Sequence, residues 1–372
     1  MLDRLKKVFA TRTSAASPCA VPAATPAFPP AGEAALDVNA YATCVELPAI
    51  DFPHRLAGAR NRLDPDLAPH LEGFAEYVAS RGGGAATTVR EALLRHVRRT
   101  HWHANLVVDA RQAEALARWA VRANAIFFMG DGSVRDPQAR VLLARDGSSD
   151  ANALVPALVD ALARRARSDA ALAAAGVEPA PPQPPGAAAS EVQLRAPAEV
   201  VHRALALLLV AERAQALCLR APMPVEALHR RLPAARRHLA PRELAFVATE
   251  APPEAECIHH AHAHEALAIL AWALMRAEAP TLPAVPRDAA RVTGIVLRLA
   301  AESRVPRQLR PADEILDLLD VHARARDCLR AATAAGSALP TALDADVVRE
   351  RHRALDWLVC ADDARWIDDA PI

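Results

Sequence analysis

Apolar residues recur every three or four positions through most of this chain, and strict alternation is confined to a few short runs. Leu67, Leu71, Phe74 and Val78 keep helical spacing, and Val89, Leu93 and Val97 repeat it within "TTVREALLRHVRRT". A period near 3.6 puts each set on one face, so two amphipathic helices are expected, with Asp64 or Asp66 capping the first and a threonine capping the second. "NLVVD" at 105–109 reads as a short strand and "ARQAEALARWAVRAN" as a third helix, while the apolar runs flanking "GDGSVRDPQ" form a hairpin. A helix over residues 153–175 completes this part. Beyond residue 192 the strand signal disappears. "PAEVVHRALALLLVAERAQALCL" and "PMPVEALHRRL" each open with a proline, whose missing N–H costs nothing in a first turn. Five more helical segments follow.

Two stretches interrupt the pattern. "VEPAPPQPPGAAAS" at 177–190 carries five prolines and reads as an extended linker. Residues 11–40 are Ala, Pro, Ser and Thr with hardly any large apolar side chain, too little to offset their ordering entropy. The expected organisation is a largely disordered arm over 1–60 and a small α+β domain over 61–176, a sheet with helices. A Pro-rich linker over 177–191 joins it to a mostly all-α domain over 192–372. No repeat of 30–45 residues is visible, which argues against a solenoid.

Composition sharpens this only in part. The chain has 372 residues and is 52% apolar but 4% aromatic, so helical cores of Leu, Val and Ala are expected. Positive and negative side chains balance at 44 each, which removes the electrostatic case for nucleic acid or an anionic membrane as partner. Glu212 and Arg213 interrupt the longest apolar run, and the N-terminus lacks the apolar core of a secretory signal. Six scattered cysteines without a C-x-x-C pair read as reduced thiols. A cytoplasmic protein is expected, with no cofactor, a protein as its kind of partner, and an oligomeric state the sequence does not address.

Several motifs in order carry a resemblance. "PAEVVHRALALLLVAERA", "HEALAILAWAL", "LRPADEILDLLDVHARARD" and "VVRERHRALDWL", followed by "WIDDAPI", resemble the bacterial domain of unknown function family 4272 (DUF4272). "HLEGFAEYV" and "ANAIFFMGDGSVRDPQARVLL" resemble the N-terminal part of its longer, two-part members. The resemblance implies a fold and transfers no activity to any residue. It also marks a departure: where family members carry an aromatic-basic-aromatic triplet ahead of Glu265, this chain has His262, Ala263 and His264.

Two clusters could carry chemistry. In "HHAHAHE", His260 and His264 are four apart, a spacing that lets two imidazoles on one helix meet a metal ion. Glu265, Cys257 or a distant histidine would have to complete the set, since H-E-x-x-H is absent. The plainer reading of His259–His264 is the solvated first turns of a helix whose apolar face begins at Leu267. The second cluster combines Asp320 and Arg324 with Glu350, Arg351 and His352. Such residues could form an acid-base cleft for a small polar or anionic substrate, His352 carrying the proton. A network of interhelical ion pairs would give the same sequence, with Asp320 and Arg324 paired four apart. "GDGSVRDPQ" lacks the ligand spacing of a calcium loop, and "RGGGAATT" lacks the ending of a phosphate loop. A non-catalytic binding or interaction module is therefore the leading expectation, with the enzyme and the metal protein as alternatives.

Overall fold

Alternation of small side chains in "ALDVNAYA" makes a strand that the composition of this stretch does not announce. The computed structural model describes residues 35–84, 87–302 and 306–359, which form two compact units parting between Val159 and Asp160. The first unit runs β1 (Ala35–Ala42), β2 (His54–Asn61), α1 (Leu67–Ser80), α2 (Thr88–Arg99), β3 (Trp102–Asp109), α3 (Ala113–Ala123), β4 (Ala125–Met129), β5 (Val134–Arg135) and β6 (Val141–Leu143). These strands form one antiparallel sheet in the order β2-β3-β1-β4-β5-β6. Residues 35–61 thus hold two strands where a disordered arm is expected. The reason is tertiary: β1 lies between β3 and β4, and burial against neighbours outweighs the weak strand preference of Ala, Asn and Asp. The rest of the expected arm, residues 1–34, lies outside the described residues.

Each sheet face has its own helices. Val38, Ala40, Leu106, Val108 and Phe127 pack against Leu116, Trp119 and Ala120 of α3. Tyr41 and Ile126, from the opposite face, pack against Phe74, Tyr77 and Val78 of α1 and Val97 of α2. Here the Tyr41 hydroxyl bonds His70 Nε2 at 3.0 Å, and His103 Nε2 bonds Asn39 at 3.0 Å. Both imidazoles are neutral, because burial pushes their pKa values down, that of His70 to about 4. Thr87 caps α2 by accepting from the Arg90 amide, as expected. Asp66 makes no such bond to α1, and Asp64 instead accepts from the Asp66 amide one turn earlier.

"GDGSVRDPQ" is the hairpin turn it was expected to be, closing β4 to β5 with Gly132 at φ +85°. Asp136 holds the next bend. Its fully buried carboxylate accepts from the Gln138 and Arg140 amides at 2.9 and 3.0 Å and from the Arg140 guanidinium at 2.7 Å. Asp136→Ala leaves these donors without their acceptor and is expected to destabilise the first unit by about 2 kcal/mol. Thermal melts of the variant beside Asp136→Asn check this, and an unchanged midpoint would show that the loop is held by other means.

The second unit is helical: α4 (Val159–Ala174), α5 (Pro197–Cys218), α6 (Val225–Arg231), α7 (Pro241–Ala248), α8 (Glu254–Ala261), α9 (Ala263–Ala273), α10 (Ala289–Ala301), α11 (Ala312–Ala334) and α12 (Ala345–Val359). Every residue of α9 is buried, so it and the apolar length of α5 form the centre of the core. Pro197 opens α5 and the Glu199 carboxylate accepts from the Ala196 amide, closing its first turn. Two expectations fail here. The helix α4 belongs to this unit and not to the sheet domain, and the Pro-rich stretch is no linker between units. It is a strap within the second unit that buries Val177, Ala180 and Ala188.

Candidate functional site

The strap explains where the charged residues go. Helix α4 carries Arg164 and Arg165 toward α11, with the strap's carbonyls beside them. Arg164 donates to Asp317 at 2.9 Å, to Asp313 at 3.1 Å and to the Ala187 carbonyl at 3.1 Å. Arg165 donates to Asp320 at 3.0 Å and to the Gln183 carbonyl at 3.1 Å. Arg324 reaches the other way, to Asp169 at 2.6 Å and the Ala180 carbonyl at 3.2 Å. Asp320 and Arg324 therefore do not pair with each other as their spacing suggests. A helix packed across them supplies better-placed partners from a distant part of the chain.

The other three candidates are consecutive, and on a helix consecutive side chains point about 100° apart. Arg351 is fully buried and donates to Glu265 at 2.7 Å and to the Thr281 carbonyl at 3.0 Å, while Glu265 also accepts from the Arg287 amide at 2.5 Å. Glu350 is held between Arg349 and Arg353 of its own helix. His352 accepts from Arg326 at 3.3 Å. Burial pushes the His352 pKa well down, and Arg326, His322 and Arg330 push it further. The structure thus spreads Asp320, Arg324, Glu350, Arg351 and His352 over separate partners, Glu350 within its own helix and the others between helices, and does not gather them around one cleft.

The four histidines of "HHAHAHE" are dispersed too. The expected single helix breaks at His262, between α8 and α9. The His264 ring donates from Nδ1 to the Ala261 carbonyl at 3.0 Å, the acceptor a continuous helix would give to residue 265, and the Glu265 amide turns to His262 instead. His260 lies against Phe246 with ring centroids 4.2 Å apart. His262 Nε2 stands 3.6 Å from Asp346, and His264 Nε2 stands 3.4 Å from the Thr293 hydroxyl. His260 and His264 thus share no focus. His264 and Glu265 are buried, so the expectation of wet first turns fails at this end of the stretch. Among the described residues no group of three or more His, Cys, Asp or Glu is arranged to hold a metal ion.

What the sequence did not single out is an open groove of about 950 Å³ where the end of α5 meets the loop before α6 and the start of α8. Leu217, Met223, Val225 and Ile258 supply its apolar surface, and Glu226, Glu250 and Glu254 line it beside Arg213 and Arg220. The Arg213 guanidinium is bonded to the Thr249 carbonyl. None of the five acid-base candidates lines this groove. The prolines Pro222, Pro224 and Pro252 on its walls are its faint signal in the sequence, since they precede the starts of α6 and α8.

A family model described as a domain of unknown function, DUF4272, matches residues 164–369, more than half of the chain. The chain belongs to the DUF4272 family. The DUF4272 match opens on Arg164, so the strap and the arginines that hold it fall within the family region, as do the groove and the Glu265–Arg351 pair. No curated protein and no solved structure matches the chain.

Proposed function

We propose that the DUF4272 domain of this chain is a non-catalytic binding module that takes an apolar segment of a partner protein, flanked by Lys or Arg, in the groove between α5, α6 and α8. One observation carries this reading: the residues suited to acid-base work are each engaged with other partners and share no cleft, whereas the open groove has apolar walls and a rim of carboxylates. Glu226, Glu250 and Glu254 make no ion pair among the described residues, so a basic flank on the partner would complement them. Ile258 is 50% exposed and Met223 is 36% exposed, an apolar surface that burial by a partner would stabilise. Among the described residues Cys218, Cys257 and Cys328 form no disulfide, which supports a reducing, cytoplasmic setting. Among the described residues no helix is long and apolar enough to cross a membrane.

The test is selection of displayed peptides against the full chain, followed by affinity measurement on Ile258→Glu. The selected peptides should be apolar and basic, and Ile258→Glu should weaken them by about tenfold or more at an unchanged unfolding midpoint. Peptides indifferent to Ile258→Glu would overturn the groove. A turnover that Glu350→Gln abolishes would overturn the module.

A further inference from the structure

The two edges of the sheet in the first unit are finished differently. Strand β6 is three residues long, and Asp150 closes its edge, the carboxylate accepting from the Val141 amide at 2.7 Å and the Asp150 amide donating to the Val141 carbonyl at 2.8 Å. An edge so short and so occupied is a poor template for another strand. Strand β2, at the other edge, is eight residues long, contains no proline, and is exposed from Arg55 to Ala59. Among the described residues no strand pairs with its outer side, so a row of backbone donors and acceptors stands open there. A bulge decides which side chains this edge presents. Arg55 and Arg60 are five positions apart, and an uninterrupted strand would turn them to opposite faces. The register slips between Leu56 and Gly58, so Arg55 stands opposite Val107 and Arg60 opposite His103, four positions apart on β3. Both arginines therefore come to one face, with Gly58 between them opposite Asn105. A Cβ on Gly58 would meet nothing within 4 Å, so the space over it is open. The stretch is also free of acids from residue 52 to residue 63, and Arg60 donates only weakly, to the neutral His103 ring at 3.5 Å. Asp37 shares this face but lies on β1, two strands away, where it accepts from Asn105.

We propose that the open edge of β2 takes an extended acidic segment of a partner protein as a further strand, with two carboxylates four positions apart meeting Arg55 and Arg60 and a large apolar residue between them covering Gly58. Main-chain bonds to the edge supply the pairing and the alternate side chains supply the selectivity. On an unbulged strand laid along β2, residues i and i+4 stand about 13 Å apart on one face, the spacing that β3 sets for the two arginines. Residue i+2 then lies over Gly58, whose missing side chain leaves room for a ring. Residues i+1 and i+3 turn to the other face, that of Ala59 and of Leu56, which is 39% exposed. A second copy of the chain is the poorer occupant. Two β2 strands paired side by side would set their arginines against one another, and like charges across a strand pair repel. The groove of the helical unit plays no part in this inference.

The probe is a fluorescein-labelled peptide, Thr-Glu-Val-Phe-Val-Glu-Thr, titrated with the full chain in low-salt buffer and read by anisotropy. Arg55→Glu, at an exposed position, should weaken binding by about tenfold or more at an unchanged unfolding midpoint. A peptide with Lys in place of one Glu should bind Arg55→Glu better than it binds the parent. The original peptide N-methylated at Val, Phe and Val keeps its charges and loses its main-chain donors, so it should not bind. Absence of binding to the parent protein would overturn the proposal, as would equal binding of the N-methylated peptide. Self-association of the chain that Arg55→Glu alters would assign the edge to a second copy and overturn it as well.

Discussion

Glu265→Ala is expected to lower the unfolding free energy of the helical unit by about 3–5 kcal/mol, the largest loss of any single exchange described above. The guanidinium of Arg351 is fully buried, and burial alone draws its pKa down, with Glu265 opposing that shift. Removing the carboxylate leaves Arg351 charged in the core with only the Thr281 and Val285 carbonyls as acceptors, and it also strips the Arg287 amide of its partner. The Arg351 guanidinium cannot reach water. The pair itself need not be stabilising, since two apolar side chains of similar volume can fill such a site at little net cost. Urea denaturation should therefore rank Glu265→Ala far below the parent and place Glu265→Met/Arg351→Met between them. If Glu265→Ala alone unfolds at the parental midpoint, the pair is not buried in solution as it is in the structure.

Acid should weaken the same unit through His322. This imidazole is fully buried on α11, donates from Nδ1 to the Leu318 carbonyl at 2.8 Å, and has no hydrogen-bond partner for Nε2 among the described residues. Burial pushes its pKa down to about 4, and Arg351 pushes the same way while the Leu318 carbonyl resists. The sign follows from proton counting. Between the unfolded value of 6.5 and the folded value of about 4 the unfolded chain binds the extra proton, so stability is present above 6.5 and falls as pH drops through this window. At about 1.4 kcal/mol per pH unit the loss reaches roughly 3 kcal/mol for this residue. His352, depressed by burial and by Arg326, His322 and Arg330, adds in the same direction. His322→Leu should flatten the stability profile between pH 4 and 6.5. A profile as steep as the parent's would assign the acid sensitivity elsewhere.

The helices were legible because their apolar period survives in the sequence, from Leu67–Val78 in α1 to the run that forms α9. Strand β1 was not, since Ala, Asn and Asp carry no strand signal and its neighbours come from 60 and more residues away. The break at His262 was hidden for another reason: it depends on one side chain capturing one carbonyl, a detail no period records. The charged candidates could be picked out by type and spacing, but spacing assigned Asp320 and Arg324 to each other and the structure does not. Asp320 and Arg324 satisfy a local spacing rule that holds for an isolated helix and yields once α4 packs across them. The groove escaped notice because it is made where helix ends from two stretches, 213–226 and 248–258, come together, which no period records.

Arginine has five donors and no acceptor, while a run such as "PAPPQPP" offers carbonyls and few amides. Arg164, Arg165 and Arg324 take the strap by its backbone, at the carbonyls of Ala187, Gln183 and Ala180. Mutational drift in the strap should therefore be cheap wherever an extended backbone survives, and costly in the three arginines that grip it. A shortened chain begun just after the prolines, as a linker would invite, would lose α4 and leave the aspartates of α11 facing solvent without their cations.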